Sequence, residues 1–309
     1  MPPDPDRRRR RAPEQPDLAE QAWRTAAWIA ECNDIDALRN DIKQNFEHLS
    51  IPHINYLIAT LVIENNLGSD WFTRHVDAGP RKNGTDVFLR RGPDTKRERR
   101  DHYMRVLELG RRLFELGQED FIELLIANLR RQDLASALFE ADVVRMLISL
   151  PVVIELRPTV GVKGDDYDID LWLRHNEPFA IEVKSRSESA AYSDSALRST
   201  LEKARRQLPI SGHGAVFVKV PELWLEDEIY IHSHAQVIAD YLRTTRRVHF
   251  VVLAWDEWTH SEGGATLRRA TQRSIFRSVN ISQDAKFLIN SYEKVWETGI
   301  DILAPNAPF

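Results

Sequence analysis

The sequence predicts an α/β protein: a mixed β-sheet flanked by helices, with an additional α-helical domain ahead of it. Three observations carry this. Residues Gly164 to Arg186 alternate as the two arms of a β-hairpin, with Ile169, Leu171 and Leu173 on one face of the first arm and Phe179, Ile181 and Val183 on one face of the second. A polar loop, a helix over Ser195 to Leu208 and a strand over Ala215 to Val220 follow, and with the second arm they make a right-handed βαβ unit. A helix over Leu134 to Ser149, opened by the N-cap Asp133, and the β-branched run Val152-Val153-Ile154 precede the hairpin. The order is therefore α-β-β-β-α-β, with a further α-β ending in Val248 to Ala254.

Within the hairpin, pairing Leu173 with Phe179 across the loop Arg174 to Pro178 sets Asp170 opposite Glu182 and Asp168 opposite Lys184. All four charges then share one face. Two carboxylates opposed across a ladder repel each other unless a cation sits between them. A divalent ion supplies that charge: Mg²⁺ takes carboxylate oxygens and keeps several waters, and a nearby Lys steadies or activates one such water for attack on a phosphate. The pattern points to metal-assisted hydrolysis of a phosphodiester.

Asp170, followed by Glu182-Val183-Lys184 at the end of the next strand and in this order of elements, resembles the PD-(D/E)xK nuclease superfamily, the restriction-endonuclease-like fold. The likeness spans Asp133 to about Trp255. It implies that Asp170 and Glu182 hold Mg²⁺ or Mn²⁺ and that Lys184 serves the attacking water, which makes these three the catalytic set. The Val183 carbonyl, presented at the same edge, is a further candidate metal ligand. Glu140 lies on the preceding helix on a face shared with Val143, Val144 and Leu147; the resemblance adds it to the metal site, and a helix-paired Glu is the alternative. No Pro precedes Asp170, and Asp165, Asp166 and Asp168 crowd it, so Asp168 competes for its role. Lys203 and Gln207, four apart on the crossover helix, face substrate phosphate or solvent. The implied partner is nucleic acid, chiefly DNA, and since many relatives cut duplexes as dimers a homodimer is implied too.

A chain of 309 residues accommodates two domains, and the sequence divides as a disordered Pro/Arg-rich tail over 1–17, a helical domain over 18–132 with a regulatory or substrate-positioning role, and the nuclease-like domain with a C-terminal helical extension over 133–309. Helical periodicity in the second part runs through Ala22, Ala26 and Ile29, then Ile35, Leu38 and Ile42, then Ile54, Leu57, Ile58 and Leu61, and resumes from Met104 to about Gln132 with a break at Gly117. At 42% hydrophobic and 29% charged residues, with no apolar run long enough for a bilayer, the composition excludes a membrane-spanning role. The one cysteine, Cys32, excludes an internal disulfide and a Cys-based zinc cluster, and with no secretory leader the cytoplasm is expected.

A net charge of −5 gives no global attraction to nucleic acid, so local basic clusters must provide it. Two are visible. One is a loop from Arg90-Arg91-Gly92-Pro93 to Lys96-Arg97-Glu98-Arg99-Arg100; the other is Arg269, Arg273 and Arg277 at i, i+4 and i+8 on a helix expected beyond Gly263-Gly264, a repulsive stripe that phosphate would relieve. A short strand over Glu228 to Ile231 and a helix over Ala235 to Arg243 are expected between the last two core strands, with a closing element over Phe287 to Leu303. His232 and His234 have no third metal partner nearby, and no Walker-type phosphate loop supports an ATP motor. The expectation is a metal-dependent nuclease acting on DNA or RNA, in a setting such as defence or repair. The competing class is a nuclease-like module without turnover that holds nucleic acid or a protein.

Overall fold

The computed structural model describes residues 35–77, 89, 96–131, 133–150, 152–159, 161–173, 178–210, 213–260, 267–295 and 306–307. The expected N-terminal tail, the periodic stretch around Ala22, Cys32, the cluster Arg90 to Pro93, most of the hairpin loop, the Gly263-Gly264 turn and Trp296 to Leu303 lie outside these residues. So does the Arg269 side chain.

The chain forms two compact units, each assembled from separate stretches of sequence. One contains Phe139–Asp256 and the segment from Thr271 through the last helix; the other contains the described residues up to Leu138 together with Glu257–Ala270 and the chain end. A linear division at Asp133 does not express this interleaving. In the second unit α1 (residues 35–45), α2 (Ile51–Leu67), α3 (Ser69–Phe72), α4 (Lys96–Glu115) and α5 (Ile122–Arg131) are helical, with a π-helical turn over Thr73–Asp77. α2 and α4 meet closely at Ala59 and Gly110, where a Cβ on the glycine would lie 2.8 Å from the Ala59 Cα. The basic residues Lys96 to Arg100, expected in a loop, form the first turn and a half of α4.

α6 (Leu134–Leu147) starts at the expected cap, with the Ala135 N–H donating to Asp133 Oδ1 at 3.3 Å. It leads into β1 (Val153–Leu156), β2 (Ile169–Trp172) and β3 (Phe179–Ser185), joined antiparallel in sequence order. The crossover helix α7 (Asp194–Gln207), capped by Ser193 accepting the Ala196 N–H, brings the chain back to β4 (Gly214–Lys219) parallel to β3. A short α8 (Glu222–Leu225) and α9 (Glu228–Thr244) return it to β5 (Val248–His260), parallel to β4. β6 (Leu267–Arg277) and α10 (Gln283–Val295) complete this unit's six-stranded mixed sheet, and a two-residue β7 (Asn306–Ala307) pairs with the start of β6.

Helices cover both sheet faces because β3, β4 and β5 are apolar on both. Ala180, Val216, Val218, Val251 and Leu253 face one way, packing with Leu197, Leu201 and Ala204 of α7 and Ile238 and Tyr241 of α9. Phe179, Phe217 and Phe250 face the other, and Tyr292 of α10 meets the Phe217 ring at 5.6 Å.

Two expected elements are corrected. The strand expected at Glu228 to Ile231 is the first turn of α9, because Asp227 accepts the N–H groups of Ile229 and Tyr230 as an N-cap. The helix expected to carry Arg269, Arg273 and Arg277 is strand β6. A spacing of four is even, so it marks one face of a strand as well as one of a helix. Four residues span about 13 Å of strand against about 6 Å of helix, so the like-charge repulsion inferred for a helical stripe is much weakened. β6 runs back along β5: the Ser278 N–H donates to His249 O and the Thr271 hydroxyl to Asp256 Oδ1.

The β3–β4 junction tests this packing. A Cβ on Gly214 would lie 2.8 Å from the Ala180 carbonyl oxygen and 3.0 Å from Leu208, so Gly214→Ala should lose about 1–3 kcal/mol in urea unfolding. An unchanged midpoint would show that the β3–β4 start is not packed as described.

Candidate functional site

The β2–β3 register differs from expectation by two residues. Ile169 pairs with Ile181, Asp170 with Ala180 and Leu171 with Phe179. Carried one step further, it places Asp168, not Asp170, across from Glu182. The Asp168 N–H donates to Ile181 O, and Asp168 Oδ2 accepts the Val183 N–H at 2.6 Å.

Glu182 is fully buried, with Ala180 two residues back on its face and Val216 beside it in the parallel ladder. Its carboxylate meets the Lys184 ammonium, yet neither oxygen makes a well-formed hydrogen bond. Burial raises its pKa well above the ordinary carboxylate range, the Asp168 charge raises it further, and Lys184 only partly offsets this. Asp168 is pushed upward too, by burial first, against the lowering effects of Lys184 and the Val183 N–H. For Lys184, burial disfavours the ammonium, but Glu182 and Asp168 outweigh it and hold its pKa above normal; Glu140 adds to this from α6. Lys184 thus stays charged, its side chain 27% exposed and open to solvent on one side.

Asp170 belongs to a different cluster. It is buried, receives Arg157 Nη1 at 2.9 Å and the Tyr167 hydroxyl at 2.5 Å, and so has its charge neutralised locally. Arg157 also holds Asp165 through Nη2 at 2.8 Å, and its guanidinium lies 4.5 Å from the Tyr167 ring centroid. Sequence reasoning missed Arg157. The one available signal was the surplus of aspartates between 165 and 170, which demanded a cation from somewhere.

The other expected site residues separate. Glu140 is buried on α6 within electrostatic reach of Lys184. Gln207 donates from Nε2 to Asp166 O at 3.0 Å, so it fixes the acidic turn, while Lys203 is exposed on α7. Arg273 is half-buried, 5.7 Å from the Tyr292 ring centroid, and Arg277 is exposed. His232 and His234, two apart on α9, point to different sides, and His234 Nδ1 contacts Tyr230 O at 2.5 Å.

Asp168 and Glu182 bring two carboxylates to one Lys, so the face carries surplus negative charge when both are ionised. Among the described residues no group of three or more His, Cys, Asp or Glu side chains is placed to hold a metal ion. The donor set is two carboxylates and whatever backbone carbonyl lies at the edge, which suits a hard cation that keeps most of its waters. Among the described residues, no helix is long and apolar enough to cross a membrane. No family model, curated protein or solved structure matches the chain.

Two outcomes follow for stability. The folded-state pKa of Glu182 lies above its unfolded value, so the folded protein binds the extra proton and loses stability as pH rises from about 4.3 through the raised value. Glu182→Gln should therefore raise the melting temperature of metal-free protein at pH 7.5, by about 2–4 °C per kcal/mol relieved, and change little at pH 4. Asp170→Asn should instead lose about 1–3 kcal/mol, because it removes one of the two carboxylates that Arg157 pairs with. Denaturant titrations with the two variants in the opposite order would exchange the roles assigned to these carboxyls.

Proposed function

We propose that the protein is a metal-dependent phosphodiesterase acting on nucleic acid, with a restriction-endonuclease-like core. The observation that carries the reading is the convergence of Asp168, Glu182 and Lys184 at the junction of β2 and β3, two carboxylates of raised pKa against one ammonium. Perturbed, partly buried ionisable groups of this kind mark functional sites. The succession β1-β2-β3 antiparallel, then α7, then β4 parallel to β3, is compatible with that core.

Asp168 and Glu182 would hold Mg²⁺ or Mn²⁺, which when bound supplies Lewis-acid stabilisation of the phosphoryl oxygens and lowers the pKa of a bound water. Asp168 has Oδ2 committed to the Val183 N–H, which leaves Oδ1 as its ligand atom. Lys184, charged and partly exposed, orients the attacking water or stabilises the negative charge that develops on the phosphate. Glu182 and Asp168 hold the Lys184 ammonium charged, and Glu140 adds to this from α6. The Arg157 cluster withdraws Asp170 and Asp165 from the face, so that surplus carboxylates do not compete for the cation.

Wild-type protein should cleave DNA or RNA with Mg²⁺ or Mn²⁺ and not with EDTA. Lys184→Ala and Asp168→Asn should each lower the rate at least about 100-fold with the fold intact by circular dichroism. Metal titration should raise the wild-type melting temperature but not that of Asp168→Asn. Nucleic acid bound by wild type without turnover under any of these metals would replace the enzyme by a binding module.

A further inference from the structure

We propose that Arg186 is a phosphate-binding residue, taking the nucleic-acid phosphate next to the one attacked, and the proposal rests on the reading of the site given above. Alternation along β3 puts Glu182, Lys184 and Arg186 on one face, and the ladder persists to the last of them, since the Arg186 N–H donates to Lys219 O at 3.0 Å. The guanidinium is positioned by two contacts from elements covering that face. Nη1 donates to Thr200 Oγ1 of α7 at 3.3 Å, and Cζ lies 5.7 Å from the Trp224 ring centroid of α8.

What Arg186 lacks is a counter-ion. Four other partly buried cations of this unit have one: Arg157 has Asp165 and Asp170, Lys184 has Glu182, Lys219 has Asp256 at 2.9 Å, and Arg205 has Glu202 at 2.6 Å. Among the described residues Arg186 forms no ion pair, and its Nε is buried without any hydrogen-bond partner. A half-buried guanidinium with one of its five N–H groups engaged is costly to leave so, and an anion from outside relieves the cost. Phosphate fits, because the planar fork of Arg matches two phosphate oxygens. Lys184 and Arg186 are about 6.6 Å apart along the strand, comparable to the step between successive phosphates of one nucleic-acid strand. The pair therefore recognises a polynucleotide backbone and not an isolated phosphate group.

The test is binding without catalysis. Labelled duplex and single-stranded DNA are titrated by fluorescence anisotropy in EDTA at several salt concentrations, against wild type, Arg186→Ala and Arg186→Lys, with melting temperatures recorded for each. Arg186→Ala should bind about tenfold more weakly. Its log Kd against log salt slope should fall by about 0.7–0.9, the release of one counter-ion, whereas Arg186→Lys should keep the wild-type slope and recover part of the affinity. A merely structural Arg would shift the melting temperature and leave the slope alone. Wild type that binds no DNA, or an Arg186→Ala slope equal to wild type, overturns the proposal. Cleavage by wild type with an unchanged Arg186→Ala slope would sink this proposal and leave the nuclease reading standing. Binding without cleavage and with the altered slope would keep Arg186 as a phosphate contact and overturn the nuclease reading, and with it the placement beside an attacked phosphate.

Discussion

Glu182 carries an ionisable carboxyl onto a sheet face where its neighbours Ala180, Val216 and Val218 are apolar, and the surrounding arrangement follows from having to neutralise it. Desolvating a carboxylate costs several kcal/mol, which only charge pairing, hydrogen bonds or protonation can offset. Lys184 supplies one charge from the same strand. Asp168, directly across, makes the problem worse, and its own carboxyl is steadied by a backbone N–H rather than by a second cation. A face optimised for stability alone would carry a hydrophobic residue at both positions, so the pair is a place where the fold gives up stability.

The Arg157 cluster solves the opposite problem with the same residue type. Asp170 is as deeply buried as Glu182, but it has a guanidinium on one oxygen and a phenol on the other, so nothing about it invites a ligand. Two aspartates two residues apart on one strand face are thus divided, by a single long-range contact from the end of β1, into one paired with a cation and one left beside Glu182.

That division explains how much of the site could be read from the sequence. The helix opened by Asp133, the hairpin and the β3–α7–β4 crossover were legible because each announces itself by local signals, a cap or a period. The hairpin register was not. A slip of one residue reverses which side chains face the core and would contradict the pattern, but a slip of two preserves every face and leaves the pattern equally well satisfied. Choosing between Asp168 and Asp170 therefore needed the turn geometry and Arg157, neither of which hydrophobic alternation encodes. The arginines of β6 failed for a related reason, since a spacing of four satisfies both periods. Glu140 was legible as an inward-facing acid on α6, but that it addresses Lys184 depends on how α6 meets the sheet.

Helix α7 gives the site a dimension of its own. Thr200, which takes the Arg186 guanidinium, and Gln207, which donates to the carbonyl of Asp166, are seven residues apart, about 10 Å of helical rise. The separation between the acidic turn and the far end of β3 is thus gauged by a rigid rod rather than by adaptable side-chain packing. Adding or deleting one residue between these positions would turn one of them by about 100° and unhook one end. The count from Thr200 to Gln207 is therefore set by the two contacts that the helix must make at once.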